Sequence, residues 1–362
     1  MDRRSFLTKA TIGGATAAAA TALAAPTYAQ GKRTLTMVTT WGRGLAGVHD
    51  AAQRNADMIT ELTDGALTVD LKAAGELVGA FEVFDAVTSG QADMYHGADY
   101  YFIGQHPAYV FFTTVPMGMT SQETANWYYQ DGGAGFHDEL GQIFGLKSFL
   151  AGNTGAQAGG WFRKEINSAD DFNGLKFRMP GLGGKALGKL GASVQNLPGG
   201  EVYQALASGA IDGTEWIGPW ADEKAGFQEI TKFYYTAGFH EPGAALSLAM
   251  NRGVYDSLTP AQQAIVSTVA AENHQFNLSQ FLSNNSSALT RLQASGVKTL
   301  QFPDDVWDAF ARASKEVLDE YMGDELFKRA NDSYQASMRS SASWLDKSDG
   351  AYTRQRTRTQ SM

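Results

Sequence analysis

Two short segments in the middle of the chain contain the residues that are best suited to bind an anion. Arg178 ends a short apolar run and stands just before Pro180. Glu215 and Trp216 end a second such run, and Trp220 follows closely. A guanidinium group can bind a carboxylate through two parallel hydrogen bonds, while Glu215 could neutralise a cation or accept a bond from a hydroxyl group. A surface arginine, a solvated glutamate and core tryptophans are the alternative interpretation.

Further oxygen donors follow other predicted strands. Asn153 and Gln157 carry amide oxygens, which sodium and calcium accept as ligands. Glu215 would add charge, the Trp216 carbonyl would add another oxygen, and Glu241 lies at a further strand-to-loop junction. An acid with adjacent carboxylate and carbonyl oxygens could chelate this ion, which favours a pyruvate-like or lactate-like ligand. The alternative is that the amide side chains bond only to their own backbone.

The elements that must position these residues alternate short apolar runs with helical patterns, which is typical of an α/β fold. Loops after strand ends are where open α/β sheets bind ligands. Thr259 to Gln262 is typical of a helix start, with a Thr cap, a Pro in the first turn and a capping-box Gln. The pattern predicts strands at 35–39, 66–71, 92–95, 146–151, 244–250 and 297–302, and helices ending near 62, at 81–88, 259–294 and 304–344, the last with a break at Gly323.

Residues 81–94 and 200–213 resemble each other, with six of 14 positions identical at an offset of 119. Both segments are typical of a helix, a glycine at its C-terminal end and the start of a strand. This repetition favours two similar α/β halves. Independent use of a common pattern for ending helices is the alternative.

We therefore predict a two-lobed α/β fold with hinge strands and a long helix that bridges the lobes. Lobe I and the hinge elements are expected over residues 30–151 and about 235–302, and lobe II over 152–234. Helices at 303–345 follow, and a disordered tail is expected over 346–362, where no core pattern is present.

The first 29 residues have the pattern of an export signal. Arg3 and Arg4 precede Ser-Phe-Leu, an Ala-, Gly- and Thr-rich stretch follows, and Ala29 ends a segment suited to cleavage. We predict a twin-arginine signal peptide over residues 1–29 and hence a periplasmic location. The absence of cysteine excludes disulfides, thiolate zinc sites and cysteine nucleophiles, and a net charge of −9 gives no indication of nucleic-acid binding.

Several enzyme motifs are incomplete or absent. A P-loop at 183–190 is excluded because Leu190 stands where Ser or Thr must bind magnesium. A dinucleotide-type glycine pattern at 181–186 follows a predicted strand, but Pro180 interrupts its turn. The six histidines make no close-set pair, although His96 and His240 flank predicted strand ends. An exported cofactor-dependent oxidoreductase is the alternative from a different functional class, although these motifs give it little support.

The segment Arg-Met-Pro at 178–180 and the segment Ala-Ser-Gly-Ala-Ile-Asp-Gly-Thr-Glu-Trp at 207–216 resemble the periplasmic solute-binding proteins of TRAP transporters. The resemblance extends over essentially all of the mature chain. It is closest to the branch that binds 2-oxo or 2-hydroxy monocarboxylates with a metal cation, because the branches for dicarboxylates or sialic acid lack the acidic-Trp pair. It implies a periplasmic-binding-protein-like fold and a binding protein without catalytic activity.

The resemblance also implies residue roles. The arginine that matches Arg178 binds the substrate carboxylate in the similar proteins. The positions that match Gln157, Glu215 and Trp216 hold the cation, and the position of Glu241 is a further ligand candidate. This implies a sodium or calcium ion that bridges protein and ligand.

Residues of the first lobe are expected to close over the ligand, here Tyr95, Tyr100 or Tyr101. The resemblance further implies delivery of the acid to TRAP membrane permease subunits and a homodimer formed through C-terminal helices. A binding protein that serves a signalling receptor is the remaining alternative.

Overall fold

The computed structural model describes residues 31–360, and the signal peptide predicted over residues 1–29 lies outside these residues. Within the described range the strands form two separate sheets. The strands are β1 (Arg33–Thr39), β2 (Leu67–Lys72), β3 (Met94–Gly97), β4 (Leu146–Asn153), β5 (Gly160–Phe162), β6 (Lys176–Arg178), β7 (Ser193–Gln195), β8 (Gly213–Thr214), β9 (Phe233–Tyr235), β10 (Ala245–Asn251) and β11 (Lys298–Leu300).

Helices cover both sheets and make up most of the C-terminal third. They are α1 (Val48–Leu62), α2 (Val83–Thr88), α3 (Ser121–Gln130), α4 (Gly133–Ile143), α5 (Gly181–Lys189), α6 (Gly199–Ser208), α7 (Pro219–Ala225), α8 (Arg252–Asp256), α9 (Pro260–Ala294), α10 (Asp304–Asp319), α11 (Glu325–Leu345) and α12 (Ala351–Gln360). Short 3-10 helices occupy Asp99–Phe102, Pro107–Phe112, Ala169–Phe172 and Phe227–Glu229.

The first sheet has the order β2-β1-β3-β10-β4, and the second has the order β11-β9-β5-β8-β6-β7. Strand β1 is parallel to β2 and β3, while β10 is antiparallel to β3 and β4. In the second sheet β6 is parallel to β7 and β8, and β5 is antiparallel to β8 and β9. The predicted two-lobed α/β fold is confirmed, with the chain passing between the sheets after β4, after β9 and after β10.

The repeated segments 81–94 and 200–213 supply equivalent units to the two sheets. In each, a helix ends near a glycine with positive φ, Gly90 at 80° and Gly209 at 76°, and a short strand follows. Glycine fits these positions because a residue with a Cβ is strained in the left-handed region. Strand β3 then enters the first sheet and β8 the second.

The long helix α9 begins at the predicted capping box, where the Thr259 side chain accepts from the Gln262 amide. Its middle turns pack against β4 at the edge of the first sheet. The exposed edge of a strand presents unpaired backbone groups, which need partners when they are buried. Asn273 donates to the Ala151 carbonyl at 2.7 Å, and Asn277 accepts from the Asn153 amide at 3.0 Å. The helix thus secures the strand that leads out of the first sheet.

Helices α10 and α11 pack on different lobes. Phe310 of α10 stacks on Phe239 at 3.7 Å and lies 5.4 Å from Phe172, beside the second sheet. Tyr334 of α11 lies 5.5 Å from Phe111 on the side of the first sheet. The connection between these helices contains Gly323, where the break was predicted.

The tail differs from the disorder that we expected. Residues 346–350 form a π-helical turn and α12 follows, although neither contains a buried residue. The tail lacks a core pattern, as the sequence indicated. It is nevertheless helical, because α11 is already formed and each further residue adds one hydrogen bond at little cost. Arg354 also donates to the Asp346 carboxylate at 3.1 Å. The lobe boundaries proposed from the sequence remain a prediction.

In residues 31–360, none of the helices combines the length and the apolar character that crossing a bilayer would require.

Candidate functional site

Arg178 and Glu215 meet because their strands are parallel neighbours. Strand β6 pairs with β8 so that Arg178 lies opposite Thr214, and Glu215 is the next residue. Both side chains are buried, and Nη1 of Arg178 donates to Glu215. Nε and Nη2 of the same guanidinium donate to the Leu197 carbonyl at 3.1 and 3.0 Å. The strand-end location inferred from the sequence is therefore correct for this pair.

Two more loops reach the same edge of the second sheet. Strand β5 is antiparallel to β8 and β9, so the residues before β5 lie beside the residues after β8 and β9. The Gln157 amide donates to the Glu241 carbonyl at 2.9 Å, and the Gly238 amide donates to the Gln157 carbonyl at 2.9 Å. The Ala158 amide donates to the Ile217 carbonyl at 2.9 Å. Backbone hydrogen bonds thus join the three loops that carry the candidate ligands.

Three buried side-chain oxygens in these loops have no hydrogen-bond partner within the described part of the chain: Gln157 Oε1, Glu215 Oε2 and Glu241 Oε2. Buried polar atoms are usually paired, so a group of unpaired oxygens indicates a ligand position. Atoms of Glu215, His240 and Glu241 lie within 4.8 Å of one another. Carboxylate and amide oxygens are ligands for sodium and calcium, and this set fits such a cation.

A small cavity of about 10 Å³ adjoins these oxygens. Its wall contains Leu246 of β10 in the first sheet and loop residues that adjoin strands of the second sheet, which places it between the lobes. Its lining residues are Trp41, Val48, Ala98, Tyr100, Tyr101, Thr113, Thr154, Gln157, Trp216, Ile217, Glu241, Ala244 and Leu246. Arg178 lies behind Trp216, with its guanidinium carbon 5.4 Å from the centre of the indole ring. The cavity has the mixed aromatic and polar wall that is typical of small-ligand sites.

The buried charges at this site perturb one another. Burial raises the pKa of Glu241 well above its usual range, and neighbouring Glu215 raises it further, while Arg178 acts in the opposite direction. Burial lowers the pKa of Arg178, but the Glu215 carboxylate and the Tyr101 hydroxyl more than offset this, so that the pKa is raised overall. Arg178 therefore stays charged, whereas Glu241 gives up its proton less readily than an exposed glutamate.

Of the predicted tyrosines, Tyr100 and Tyr101 line the cavity and Tyr95 does not. The Tyr95 hydroxyl donates to Asp99 at 3.1 Å. The same buried carboxylate accepts from Ser247 at 2.7 Å and lies 3.0 Å from His137. Successive residues of a strand point to opposite faces, and Tyr95 points into the core of the first lobe. We therefore correct its assignment to a residue of that core.

Asn153 is also separate from the unpaired oxygens. Its Oδ1 accepts from Ser121 at 2.9 Å and from the Gly155 amide at 2.7 Å. Its Nδ2 lies 3.4 Å from Nε2 of His274. The alternative interpretation, a side chain that bonds to its own loop, describes Asn153, which lies at the contact between β4 and α9.

His274 of α9 lies at the same contact with β4, and we expect it to make an acid-sensitive contribution to stability. Its Nδ1 lies 2.8 Å from the Gly152 carbonyl, and burial lowers its pKa from 6.5 to about 4. Because the folded-state pKa is depressed, this contribution is fully present above pH 6.5 and is lost as the pH falls towards 4. It amounts to about 2 kcal/mol between about pH 7.5 and about pH 5.

Urea unfolding at these two pH values tests this expectation with wild type and His274→Gln. Between these pH values the free energy of unfolding should fall by about 2 kcal/mol less in His274→Gln than in wild type. An equal pH dependence in the two proteins would contradict the assignment.

His240 lies beside the unpaired oxygens of this site. Its Nε2 lies 3.5 Å from Oε2 of Glu215, and neither ring nitrogen has a hydrogen-bond partner within the described residues. A Cβ at Gly183 would lie 2.5 Å from the Cβ of His240. The glycine-rich stretch at 181–186 therefore has a packing role, because it lets α5 approach His240 closely. The sequence signal for this residue was its position beside a predicted strand end.

These features define a class of protein, namely a two-lobed binding protein whose cleft adjoins a cation-type oxygen set and, within residues 31–360, one buried arginine. A family model for the bacterial extracellular solute-binding proteins of family 7 (DctP) matches residues 40–324. The chain belongs to this family. The resemblance to TRAP solute-binding proteins inferred from the sequence is thereby confirmed.

Three similar proteins locate the chain within this family. A monocarboxylate 2-oxoacid-binding periplasmic protein of Nostoc sp. is 40% identical over 309 residues, 85% of each chain. The crystal structure of a TRAP periplasmic solute-binding protein from Pseudoalteromonas atlantica T6c contains sodium and pyruvate; it is 38% identical with a TM-score of 0.86, covering 89% of this chain and 99% of that chain.

The third is a TRAP transporter solute-binding protein from Bordetella bronchiseptica RB50. It is 32% identical with a TM-score of 0.89, covering 91% of this chain and 99% of that chain. Its crystal structure is a mixed-occupancy dimer with copurified calcium and picolinate in one active site.

Proposed function

We propose that this chain is the periplasmic solute-binding component of a TRAP transporter. It binds a 2-oxo or 2-hydroxy monocarboxylate together with a sodium or calcium ion and delivers the acid to the membrane permease. The observation that carries this proposal is the set of three unpaired buried oxygens beside one buried arginine. Such a set suits a ligand that is both an anion and a chelator.

The residue roles follow from the chemistry of each group. Gln157, Glu215 and Glu241 contribute side-chain oxygens to the cation, and Trp216 contributes its carbonyl. Arg178 binds the carboxylate of the acid, since a guanidinium group matches a carboxylate in a planar, two-bond arrangement. When bound, the cation supplies positive charge and coordination sites for the acid.

The charge at the site explains why a cation is required. Glu215 and Glu241, when both are ionised, would repel an incoming anion strongly in a site of low dielectric constant. A bound cation reverses the sign of this interaction. No arginine or lysine lines the cavity in residues 31–360, and Arg178 lies behind its wall. A single arginine favours an acid with one carboxylate over a dicarboxylate.

The similar proteins support this ligand class. Pyruvate, in the Pseudoalteromonas atlantica protein, has a carbonyl oxygen next to its carboxylate. Picolinate, in the Bordetella bronchiseptica protein, has a ring nitrogen in the corresponding position. Both molecules can chelate a cation through the carboxylate and its neighbouring donor atom, as expected for 2-oxo and 2-hydroxy acids here.

A thermal-shift screen tests the ligand class. Pyruvate or lactate at ~100-fold over its dissociation constant should stabilise the protein by roughly 2.7 kcal/mol. Acetate lacks the second donor atom, and succinate has a second carboxylate without a matching arginine, so neither should give this shift. Stabilisation by succinate or malate without stabilisation by pyruvate or lactate would overturn the proposed ligand class.

Export and assembly belong to the same proposal. Residues 1–29 act as a twin-arginine signal that brings the folded protein to the periplasm, and the helices of residues 303–345 form a homodimer. The dimer of the Bordetella bronchiseptica protein supports this assembly. Native mass spectrometry of freshly purified protein measures the copurified acid, the metal and the dimer mass together.

A further inference from the structure

Asp222 is a fully buried carboxylate in α7, which follows the Glu215-Trp216 segment in the chain. Its Oδ1 accepts hydrogen bonds from the Ile217 and Gly218 amides, both at 3.0 Å. Its Oδ2 accepts from Nε1 of Trp161 at 2.9 Å. Burying a carboxylate is unfavourable unless it is well hydrogen-bonded, so this arrangement needs a reason beyond filling space.

The Ile217 amide and the Trp216 carbonyl belong to the same peptide group. A peptide group is planar and trans, so its N–H and C=O point in opposite directions. An acceptor that fixes the Ile217 N–H therefore also fixes the direction of the Trp216 carbonyl. A charged acceptor on the N–H also polarises the peptide group and makes its carbonyl oxygen a stronger donor of electron density.

The second hydrogen bond of Asp222 acts on the next peptide group. The Gly218 N–H shares its plane with the Ile217 carbonyl, which accepts from the Ala158 amide at 2.9 Å. Ala158 follows Gln157 directly. Asp222 is thereby connected through one peptide group to the Trp216 carbonyl and through the next to the loop that carries Gln157.

We propose that Asp222 is a positioning residue for the cation site, and that it holds the Trp216 carbonyl in the direction in which it coordinates the ion. This inference rests on the proposed function, since it assigns a support to one of the proposed ligands. Asp222 itself does not contact the ion or the acid.

A purely structural role is the competing explanation. Trp161 stacks on Tyr234 at 4.2 Å between their ring centres, and Asp222 could serve only to satisfy the indole N–H. The two roles involve different oxygens of the carboxylate. Trp161→Phe removes the donor to Oδ2 and leaves the two peptide bonds to Oδ1, which makes it the matched control for stability.

Calcium titration of the purified, metal-free full chain by calorimetry, without any acid present, is the decisive measurement. Burial raises the pKa of Asp222 to about 7, with the hydrogen bonds acting in the opposite direction, so the titration is done near pH 8. Asp222→Ala should weaken calcium binding about 10- to 100-fold, the usual range for a support of a metal ligand. Asp222→Asn keeps an oxygen that can accept from the two amides, so it should lose much less calcium affinity than Asp222→Ala.

Trp161→Phe should bind calcium like wild type even though it also lowers the melting temperature. Hydrogen exchange adds a readout that does not depend on the metal, since the Ile217 and Gly218 amides should exchange faster in Asp222→Ala and remain protected in Trp161→Phe. If Asp222→Ala does not fold, Asp222→Glu replaces it, because a longer side chain displaces the carboxylate and should also weaken calcium binding.

Two results would overturn the inference. One is calcium affinity in Asp222→Ala, or in its replacement Asp222→Glu, equal to that of wild type. The other is an equal loss of affinity in Trp161→Phe. A wild-type protein that binds neither the cation nor pyruvate would instead overturn the proposed function, and this inference with it.

Discussion

The Arg178→Lys variant should bind pyruvate or lactate at least about 30-fold more weakly than wild type, although the substitution keeps the charge. In the structure the guanidinium group uses three nitrogens at once, two on the Leu197 carbonyl and one on Glu215. An ammonium group is a point charge without this planar arrangement, and cannot hold Glu215, Leu197 and a ligand carboxylate in the same geometry. Loss of a buried charge-assisted contact costs about 2–5 kcal/mol.

Calorimetric titration with pyruvate in the presence of calcium measures this effect. Arg163→Lys is the control, since Arg163 is exposed, lies in the same lobe and donates to the Leu206 carbonyl. It should bind pyruvate like wild type. Circular dichroism should show both variants folded. Near wild-type affinity in a folded Arg178→Lys protein would place the carboxylate-binding group elsewhere in the cleft.

Much of the first lobe could be predicted from the sequence because its elements have strong periodic signals. The predicted first strand at 35–39 corresponds to β1, and the capping box at Thr259 starts α9 as expected. Strands β5, β7 and β8 of the second sheet contain only two or three residues. Such strands are too short to show alternation, and only their pairing in the folded chain defines them.

The part of the site that lies at the ends of parallel strands could be predicted from the sequence. Arg178 and Glu215 each follow an apolar run, and the ends of parallel neighbours lie at one edge of a sheet. The direction of an individual side chain at a strand end was not predictable, because a shift of one residue reverses its face. Tyr95 of β3 points into the core, while Tyr100 and Tyr101, in the 3-10 helix after this strand, line the cavity.

The position of His240 beside Glu215 could not be predicted from any local sequence pattern. It approaches Glu215 only because the chain turns back after β9 at the edge where β8 ends, and because Gly183 leaves room for its side chain. Contacts of this kind arise from the pairing of segments that are distant in the sequence. A histidine before a glutamate and a proline has no fixed meaning until that pairing is known.

The Glu215→Gln variant should bind calcium at least about tenfold more weakly than wild type, and should bind pyruvate more weakly as a result. A simple electrostatic argument predicts the opposite, because the substitution removes a negative charge from a site that receives an anion. The cation explains the difference: Oε2 of Glu215 is a buried oxygen without a partner in the described chain, and a neutral amide is a weaker ligand for a hard cation. The sign of the change in pyruvate affinity therefore separates the two explanations.

Three titrations complete this test: calcium alone, pyruvate with calcium, and pyruvate after exhaustive removal of sodium and calcium. Glu201→Gln removes an exposed carboxylate from α6 in the same lobe and controls for net charge, so it should leave all three results unchanged. Wild type should lose most of its affinity for pyruvate when both cations are removed, whereas Glu215→Gln, already impaired, should change little further. Tighter pyruvate binding by Glu215→Gln, or wild-type affinity that is independent of both cations, would show that the two buried carboxylates accept the acid without a metal ion. Arg178 alone would then have to offset their charge.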